Sequence, residues 1–476
     1  MRRTRSWIAA LLLSLPGVSW AEEVVDPPPP EEEEAVNLIP PEAPAQPLPH
    51  WGVTAEASSV PEVAPVDPSE GWASLLRVEA SAWALLPRAG MGTDEGFVQV
   101  EPTVGFERVP EFGINLGSPL RLRLWGPEGG GVVRREDWDT LSDWGQLVRG
   151  LQFGSDNAPL GGWFGRLDSY SLMSGHLVRR YSNRTNPDYH PAGGFLTGRL
   201  GPVCAGAFAS DVLGARLMGA EVELDMERLL FGNPEQRHRY TLALSGVHDW
   251  GRAGGGSAPV TLAHLDAMAV VLMRPVFKAH VLAGWGGRPG ESGAWGAVVG
   301  VGADAATPNL DMLLRLEVRR QQGGFRQGFF GPDYELARFQ AAGPDGVPLA
   351  DAPFSEGYSV FGEAEVGWDA VSYGGPYKHL RLSLGAEAFF WGRFDVDGRV
   401  AVQLCERSLE VALKGLGVGM GQPGARYLGA AEVRWRFLGG KFYVLGTSGT
   451  LLFPTAEGAL RPGAFASMGL GVDNAR

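Results

Sequence analysis

Cysteine is scarce in this sequence, with only Cys204 and Cys405 among 476 residues. So small a number excludes a disulfide-stapled scaffold and a zinc site built from several thiolates; whether the two cysteines pair is left open. After residue 21 the chain also lacks any run of eighteen apolar residues, which excludes a helical membrane protein. Positive charge forms no patch and the formal net charge is −13, so nucleic acid is not an expected partner.

The first 21 residues, MRRTRSWIAALLLSLPGVSWA, have the features of a secretory signal peptide. Three arginines precede a short apolar core and small residues stand at the cleavage site, so export is expected. Residues 22–70 contain twelve prolines, twelve acidic residues and no lysine or arginine. Such a segment cannot bury enough apolar surface to offset its ordering entropy. We predict a disordered periplasmic linker, either a plain spacer or an arm that binds periplasmic partners.

From residue 71 onward, apolar and polar residues alternate. The stretch 379–404, HLRLSLGAEAFFWGRFDVDGRVAVQL, places an apolar residue or glycine at every even position outside its central turn. Successive side chains of a β-strand point to opposite faces, so this period of two predicts strands. Each half is eleven residues long, which is about twice the usual soluble strand. A tilted strand needs about nine to eleven residues to cross a bilayer.

Three hairpin turns test this interpretation. A two-residue turn reverses the parity of the apolar positions, and a three-residue loop preserves it. The parity reverses across 439–440 and 405–406, and it persists around 391–393. We therefore predict that Phe437 pairs with Phe442, Val402 with Leu409, and Ala388 with Val396.

Signal peptide, strand period and turns together make residues 71–476 resemble the outer-membrane β-barrels of Gram-negative bacteria, in particular the porins. The resemblance implies an all-β fold, a closed antiparallel transmembrane β-barrel of about 18 strands, with 16–20 admissible, since single-chain bacterial barrels have even strand numbers. In lipid the sheet must close so that every backbone group is paired. The apolar face would contact outer-membrane lipid, and the polar face would line the lumen. The N-terminal arm would lie in the periplasm.

The same alternation assigns a set of charged residues to the polar face. These lumen-lining candidates are Arg121, Arg123, Glu221, Glu223, Arg315, Glu317, Arg319, Glu363, Glu365, Arg381, Glu387, Arg399, Glu432, Arg434 and Arg436. They carry both signs of charge. We predict a porin-like channel with weak ion selectivity that passes hydrophilic solutes, sugars as well as ions.

Segment 134–149, RREDWDTLSDWGQLVR, breaks the alternation. Its apolar residues recur at helical spacing, and it crowds together the carboxylates of Glu136, Asp137, Asp139 and Asp143. One interpretation is a loop folded into the lumen as a constriction, where these carboxylates filter solutes; the other is an extracellular helical cap. Segment 169–190, rich in arginine, histidine and tyrosine, is either a sugar-binding slide or an ordinary loop. Segment 321–357 is predicted as an extracellular loop.

The sequence predicts no enzyme, no cofactor and no metal site. No G-x-S-x-G motif occurs, and Ser174 and His176 are an isolated serine and histidine two residues apart. No histidine or cysteine cluster has metal-ligand spacing. The alternative to a channel is a barrel subunit of an envelope-spanning machine, for polysaccharide export or surface motility. That subunit would dock periplasmic partners through residues 22–70. The oligomeric state is left open, and a homo-oligomer is compatible with the sequence.

Overall fold

The computed structural model describes residues 73–87, 94–108, 112–126, 131–154, 159–214, 216–232, 239–251, 259–307, 309–341, 355–369, 379–405, 408–454 and 459–473. The predicted signal peptide (1–21) and linker (22–70) lie outside the described residues.

The strands form one antiparallel sheet. The first nine are β1 (Ala73–Pro87), β2 (Glu95–Arg108), β3 (Phe112–Gly117), β4 (Leu120–Trp125), β5 (Val148–Phe153), β6 (Leu160–Gly165), β7 (Gly193–Leu200), β8 (Val203–Ala209) and β9 (Leu217–Asp225). The next twelve are β10 (Tyr240–Asp249), β11 (Val260–Arg274), β12 (Phe277–Gly287), β13 (Trp295–Ala306), β14 (Leu310–Gln322), β15 (Gly357–Trp368), β16 (Leu380–Phe389), β17 (Phe394–Leu404), β18 (Leu409–Met420), β19 (Arg426–Phe437), β20 (Phe442–Pro454) and β21 (Leu460–Asp473).

Helical structure in the described part of the chain is short. The α-helices are α1 (Met226–Phe231) and α2 (Tyr334–Ala341), and two 3-10 helices span Arg135–Asp137 and Leu141–Leu147. Neither α-helix is long and apolar enough to cross a membrane.

The sheet closes on itself, because β1 pairs with β21 as well as with β2. Strands β3 and β4 share one position in the ring, since both pair with β2 in the same register, Thr103 opposite Gly117 and Val100 opposite Leu120. The interruption falls at Pro119, across from Pro102 and its neighbour. Proline has no N–H to donate to a ladder. Pro102 lies opposite Ser118 and Pro119 opposite Glu101 in this register, so two prolines at neighbouring pairs explain the break.

The closed barrel therefore has twenty strand positions, where the sequence predicts about 18. The difference lies in the first half of the chain, because the region after residue 305 contains the eight strands that its alternation indicates. Strands β5 to β8 are only six to eight residues long and rich in glycine, as in GGFLTGRL of β7. Strands so short and glycine-rich carry a weak period-two signal, so their number is hard to read.

The hairpins confirm the predicted facing but only one of the predicted registers. Phe437 pairs with Phe442 across 439–440, as predicted. The predictions for the other two turns are wrong by two residues: Val402 pairs with Val411, and Ala388 pairs with Phe394. A shift of two residues leaves each side chain on its predicted face, because the side-chain period of a strand is two. The error lies in the lengths of the two loops.

Apolar side chains face outward around the barrel. On β14, Leu316 and Val318 are 54% and 46% exposed, whereas Glu317 and Arg319 between and beside them are each 1% exposed. Exposed aromatic residues stand at strand ends, among them Trp125 of β4. A closed sheet with an apolar outer face and aromatic residues near its rims is the arrangement of a membrane-spanning barrel. The fold is that of an outer-membrane β-barrel.

Candidate functional site

Two loops turn into the lumen and meet there. Inner loop 1 (166–192) connects β6 to β7, and inner loop 2 (323–341) follows β14 and includes α2. They pair through their backbones: the N–H of Arg179 donates to the carbonyl of Phe330 (3.1 Å), and the N–H of Gly328 donates to the carbonyl of His176 (2.7 Å). Residues 323–341 of segment 321–357, which the sequence predicts as an extracellular loop, thus pack inside the barrel, while 342–354 lie outside the described residues.

Aromatic and aliphatic side chains explain why these loops turn inward. The two loops and the inner faces of β7 to β11 share one buried apolar cluster. Its members include Tyr170, whose ring stacks on Phe195 of β7 and approaches Phe208 of β8, with centroid distances of 5.4 and 5.0 Å. Burying rings of this size is strongly favourable, so the lumen at this level holds a packed core.

Inner loop 1 also reaches the opposite wall of the barrel through polar contacts. They run from Ser174 N–H to Glu221 of β9 (2.9 Å), from His176 to Asp266 of β11 (2.5 Å), from Arg179 to Glu363 of β15 (2.9 Å), from Arg180 to Asp397 of β17 (2.8 Å), and from Asp168 to Lys414 of β18 (2.8 Å). Because these strands lie around much of the ring, the loop spans the lumen. Segment 169–190, for which the sequence left two interpretations, provides most of this span.

Inner loop 2 is held at three other strands. The hydroxyl of Tyr334 donates to Asp249 at the end of β10, the carboxylate of Asp333 accepts from Nε of Arg426 of β19 (3.1 Å), and α2 contacts β20. Asp333 is buried. Burial raises the pKa of its carboxyl, but the charges of Arg426 and Arg326 outweigh burial, so the pKa lies below its ordinary value.

Six of the predicted lumen-lining residues belong to one charged network on the inner wall beside the loops. Arg319 donates to Glu317 (2.7 Å) and to Glu387 (2.8 Å). Arg315 pairs with Glu317, and Glu363 pairs with Arg179 of inner loop 1. Glu221 joins the same loop from the side of β9.

One aromatic ring joins the wall to inner loop 1. The guanidinium carbons of Arg179 and Arg319 lie 3.8 and 3.9 Å from the ring centroid of Phe361. Phe361 is 1% exposed, so both cation–π contacts are shielded from water and stronger than surface ones.

Two further predicted lumen residues lie on β4. Arg121 donates to Gln99 (3.0 Å) and to Asp137 (2.9 Å), and Arg123 lies 3.5 Å from Glu95. The others are half-buried, as Glu223, Glu365, Arg399, Arg434 and Arg436 are, or exposed, as Arg381 and Glu432 are. The guanidinium carbons of Arg434 and Arg436 lie 5.2 and 5.1 Å from the ring of Tyr443.

The four predicted constriction carboxylates divide into two pairs. Asp137 and Asp143 are fully buried, whereas Glu136 and Asp139 are exposed. Asp137 accepts from Arg121 and from Arg134 (2.6 Å). Burial raises the pKa of the Asp137 carboxyl, but the hydrogen bond of His190 and the two arginine charges outweigh it and hold the pKa well below its ordinary value.

Asp143 has a structural role at the start of the second 3-10 helix. Its carboxylate accepts from the backbone N–H of Thr140 (3.0 Å) and from that of His190 in inner loop 1 (2.9 Å). On the other side of this helix, Leu141 and Trp144 are exposed. The segment therefore directs its polar side towards inner loop 1 and its apolar side outward.

A cavity of about 70 Å³ lies between inner loop 2 and the wall formed by β14 to β18. A water molecule needs about 10–15 Å³ of such space, so the cavity has room for several. Its lining carries both signs of charge, with Arg179, Arg319, Arg326, Asp333, Glu387, Asp395 and Asp397, together with the rings of Phe361 and Phe389.

Sequence reasoning missed a group of buried inward-facing residues, His264 and Asp266 on β11. A usable signal was present, because two polar residues two positions apart on a strand point to the same face. Their partner, His176, lies 90 residues before Asp266 in the chain. Only the inward turn of inner loop 1 brings these three together, and no local spacing predicts that turn.

No protein-family model and no curated protein matches the chain. Among solved structures the chain is similar to the outer membrane protein OpdK of Pseudomonas aeruginosa, with 10% identity over 85% of this chain and 98% of that chain and a TM-score of 0.34. It is also similar to a BenF-like porin of Pseudomonas fluorescens Pf-5, with 10% identity over 85% and 99% and a TM-score of 0.33. A third is OccK8 (OprE) of Pseudomonas aeruginosa, with 8% identity over 84% and 97% and a TM-score of 0.33. Values this low identify no particular relative, so the barrel fold rests on the strand pairing described above.

Proposed function

We propose that the protein is an outer-membrane channel for small hydrophilic solutes, which pass through the cavity between inner loop 2 and the wall of β14 to β18. The observation that carries the proposal is the charged lining of both signs inside a closed barrel whose outer face is apolar. A hydrated solute that crosses a membrane needs such a polar path shielded from lipid. The mixed signs favour weak charge selectivity.

The inner loops make this channel narrow. Inner loop 1 spans the lumen, and inner loop 2 borders the cavity beside it. The channel is therefore expected to conduct less than an unobstructed barrel of twenty strands, because passage is limited by the narrowest polar gap and by the charges that line it.

Single-channel recording in planar lipid bilayers tests the proposal. Arg326 lines the cavity from inner loop 2, so Arg326→Ala should raise the conductance by about twofold and shift ion preference towards cations. Arg320→Ala is the matched control: Arg320 also lies near an aromatic ring, 5.1 Å from that of Tyr358, but does not line the cavity. A silent wild-type barrel, or equal changes in both variants, would contradict the proposed path.

A further inference from the structure

Three side chains meet where inner loop 1 touches β11. Nδ1 of His176 lies 2.5 Å from one carboxylate oxygen of Asp266, and Nδ1 of His264 lies 2.9 Å from the other. The two imidazole ring centroids are 4.9 Å apart. His176, His264 and Asp266 are 2%, 1% and 7% exposed, so the cluster is shielded from bulk water.

We propose that this cluster binds a first-row divalent cation such as Zn²⁺, with His176, His264 and Asp266 as the protein ligands. One ligand atom from each residue lies within 4.8 Å of the others. Two imidazoles and one carboxylate are a donor set that suits Zn²⁺ and leaves a fourth position for water. Bonds of about 2.0–2.1 Å in a tetrahedral site place ligand atoms about 3.3 Å apart. The two nitrogen–oxygen contacts must therefore widen by less than about 1 Å, and ligand atoms as far as 4.8 Å apart must approach by about 1.5 Å.

The surroundings of His176 fit a ligand role. When one ring nitrogen binds a metal, the other usually donates to a carboxylate that fixes the ring. Nε2 of His176 lies 3.2 Å from Glu317, which would accept its hydrogen when Nδ1 holds the ion. The guanidinium of Arg315, which also reaches Nε2, would then keep its contact with Glu317. In His264, Nε2 is buried and has no hydrogen-bond partner among the residues that the structure describes. A buried polar atom without a partner is costly, so the protein alone does not satisfy this ring.

The charges around the cluster also matter, because Arg315 approaches Nε2 of His176 and would oppose an added cation. Arg315 is paired with Glu317, which Arg319 also contacts. The carboxylates of Asp266 and Glu317 face the guanidinium groups of Arg315 and Arg319, so the negative charges offset the positive charges beside the cluster.

A bound ion would join a loop to the wall. His176 belongs to inner loop 1, whereas His264 and Asp266 belong to β11, so coordination would hold the loop in its inward position. In this way the metal would regulate passage through the lumen. This consequence rests on the proposed channel function, whereas metal binding itself does not.

Equilibrium dialysis of the folded barrel in detergent micelles against Zn²⁺ tests the site. We expect one Zn²⁺ per chain, and at least a tenfold weaker affinity in His176→Gln and His264→Gln. His248→Gln is the control, because the His248 ring instead contacts Thr261 and Trp250; its affinity should equal that of the wild type. The heat-dependent shift in gel migration checks that each variant is folded. If a histidine variant does not fold, the isosteric Asp266→Asn is tested in its place.

Binding of no Zn²⁺, or binding that survives both histidine substitutions, would overturn the site. Bilayer recording then tests separately whether the bound ion regulates the channel. We expect Zn²⁺ to lower the conductance of the wild type and to leave that of His264→Gln unchanged. If dialysis shows the site but conductance ignores Zn²⁺, the metal site stands and its regulation of the channel fails.

Discussion

The two sides of the barrel hold the inner loops by different means. Strands β3 to β8 are six to eight residues long, while β10 to β21 are ten to fifteen. Towards the short side, the loops pack apolar surface, with Tyr170 against Phe195 and Phe208, and this packing continues onto β9 to β11. Towards the long side, they form charge pairs, such as Arg179 with Glu363. A packed apolar contact tolerates no water, whereas a charged wall can line a wet path. The cavity accordingly lies on the long side.

The largest expected effect is on the charged side. Arg319 is 1% exposed and paired with both Glu317 and Glu387. Arg319→Met leaves the buried carboxylate of Glu317 and the half-buried carboxylate of Glu387 without that partner, so the free energy of unfolding should fall by about 4 kcal/mol. Guanidinium-induced unfolding followed by tryptophan fluorescence measures it. Arg434→Met, at a half-buried position near Tyr443, should cost about 1 kcal/mol or less. Equal losses of stability in the two variants would show that the network around Arg319 stabilises the fold no more than the contact of Arg434 does.

On the apolar side, Phe208→Ala should lower the free energy of unfolding by about 3 kcal/mol, since it removes a buried ring and leaves a cavity. Phe208 is 3% exposed and contacts Tyr170. Phe437→Ala on the long side is the control: that ring is only half-buried and stacks on Phe442 at 6.2 Å. We expect a loss of about 1 kcal/mol there. A loss at Phe437 as large as at Phe208 would show that inner loop 1 adds little to the short side.

The next effect concerns the attachment of inner loop 2. Asp333→Asn weakens the ion pair with Arg426 and should lower the free energy of unfolding by about 2 kcal/mol. Glu291→Gln, at an exposed carboxylate that pairs with Arg288, should change it by less than about 0.5 kcal/mol. The folded-state pKa of Asp333 is lowered. Its contribution is therefore present above its ordinary pKa of 3.8 and is lost only as the pH falls below that value. Unfolding at pH 7 and pH 3 measures both, and a wild-type difference that Asp333→Asn retains in full would contradict this assignment.

The same comparison explains what the sequence could predict. On the long side, residues such as Leu316 and Glu317 alternate over a dozen positions, so strand facing follows from the period alone. On the short side, β7 reads GGFLTGRL and gives no such signal. The site inside the lumen could not be predicted from the sequence for a different reason. The pairing of Arg179 with Glu363 spans 184 positions, and nothing local indicates that a polar loop of arginines and tyrosines will turn inward.

The smallest effect tests segment 134–149. Asp143 accepts from Thr140 and His190, so Asp143→Ala should lower the free energy of unfolding by about 1 kcal/mol through loss of a cap. Asp139→Ala, at an exposed neighbour, should change it by less than about 0.5 kcal/mol. If these carboxylates form a constriction, Asp139→Ala and Glu136→Gln should each reduce cation preference in bilayer recordings, because both side chains are accessible to solutes. Unchanged ion selectivity in both variants, together with the stability loss in Asp143→Ala, would show that the segment is part of the barrel wall and does not form a constriction.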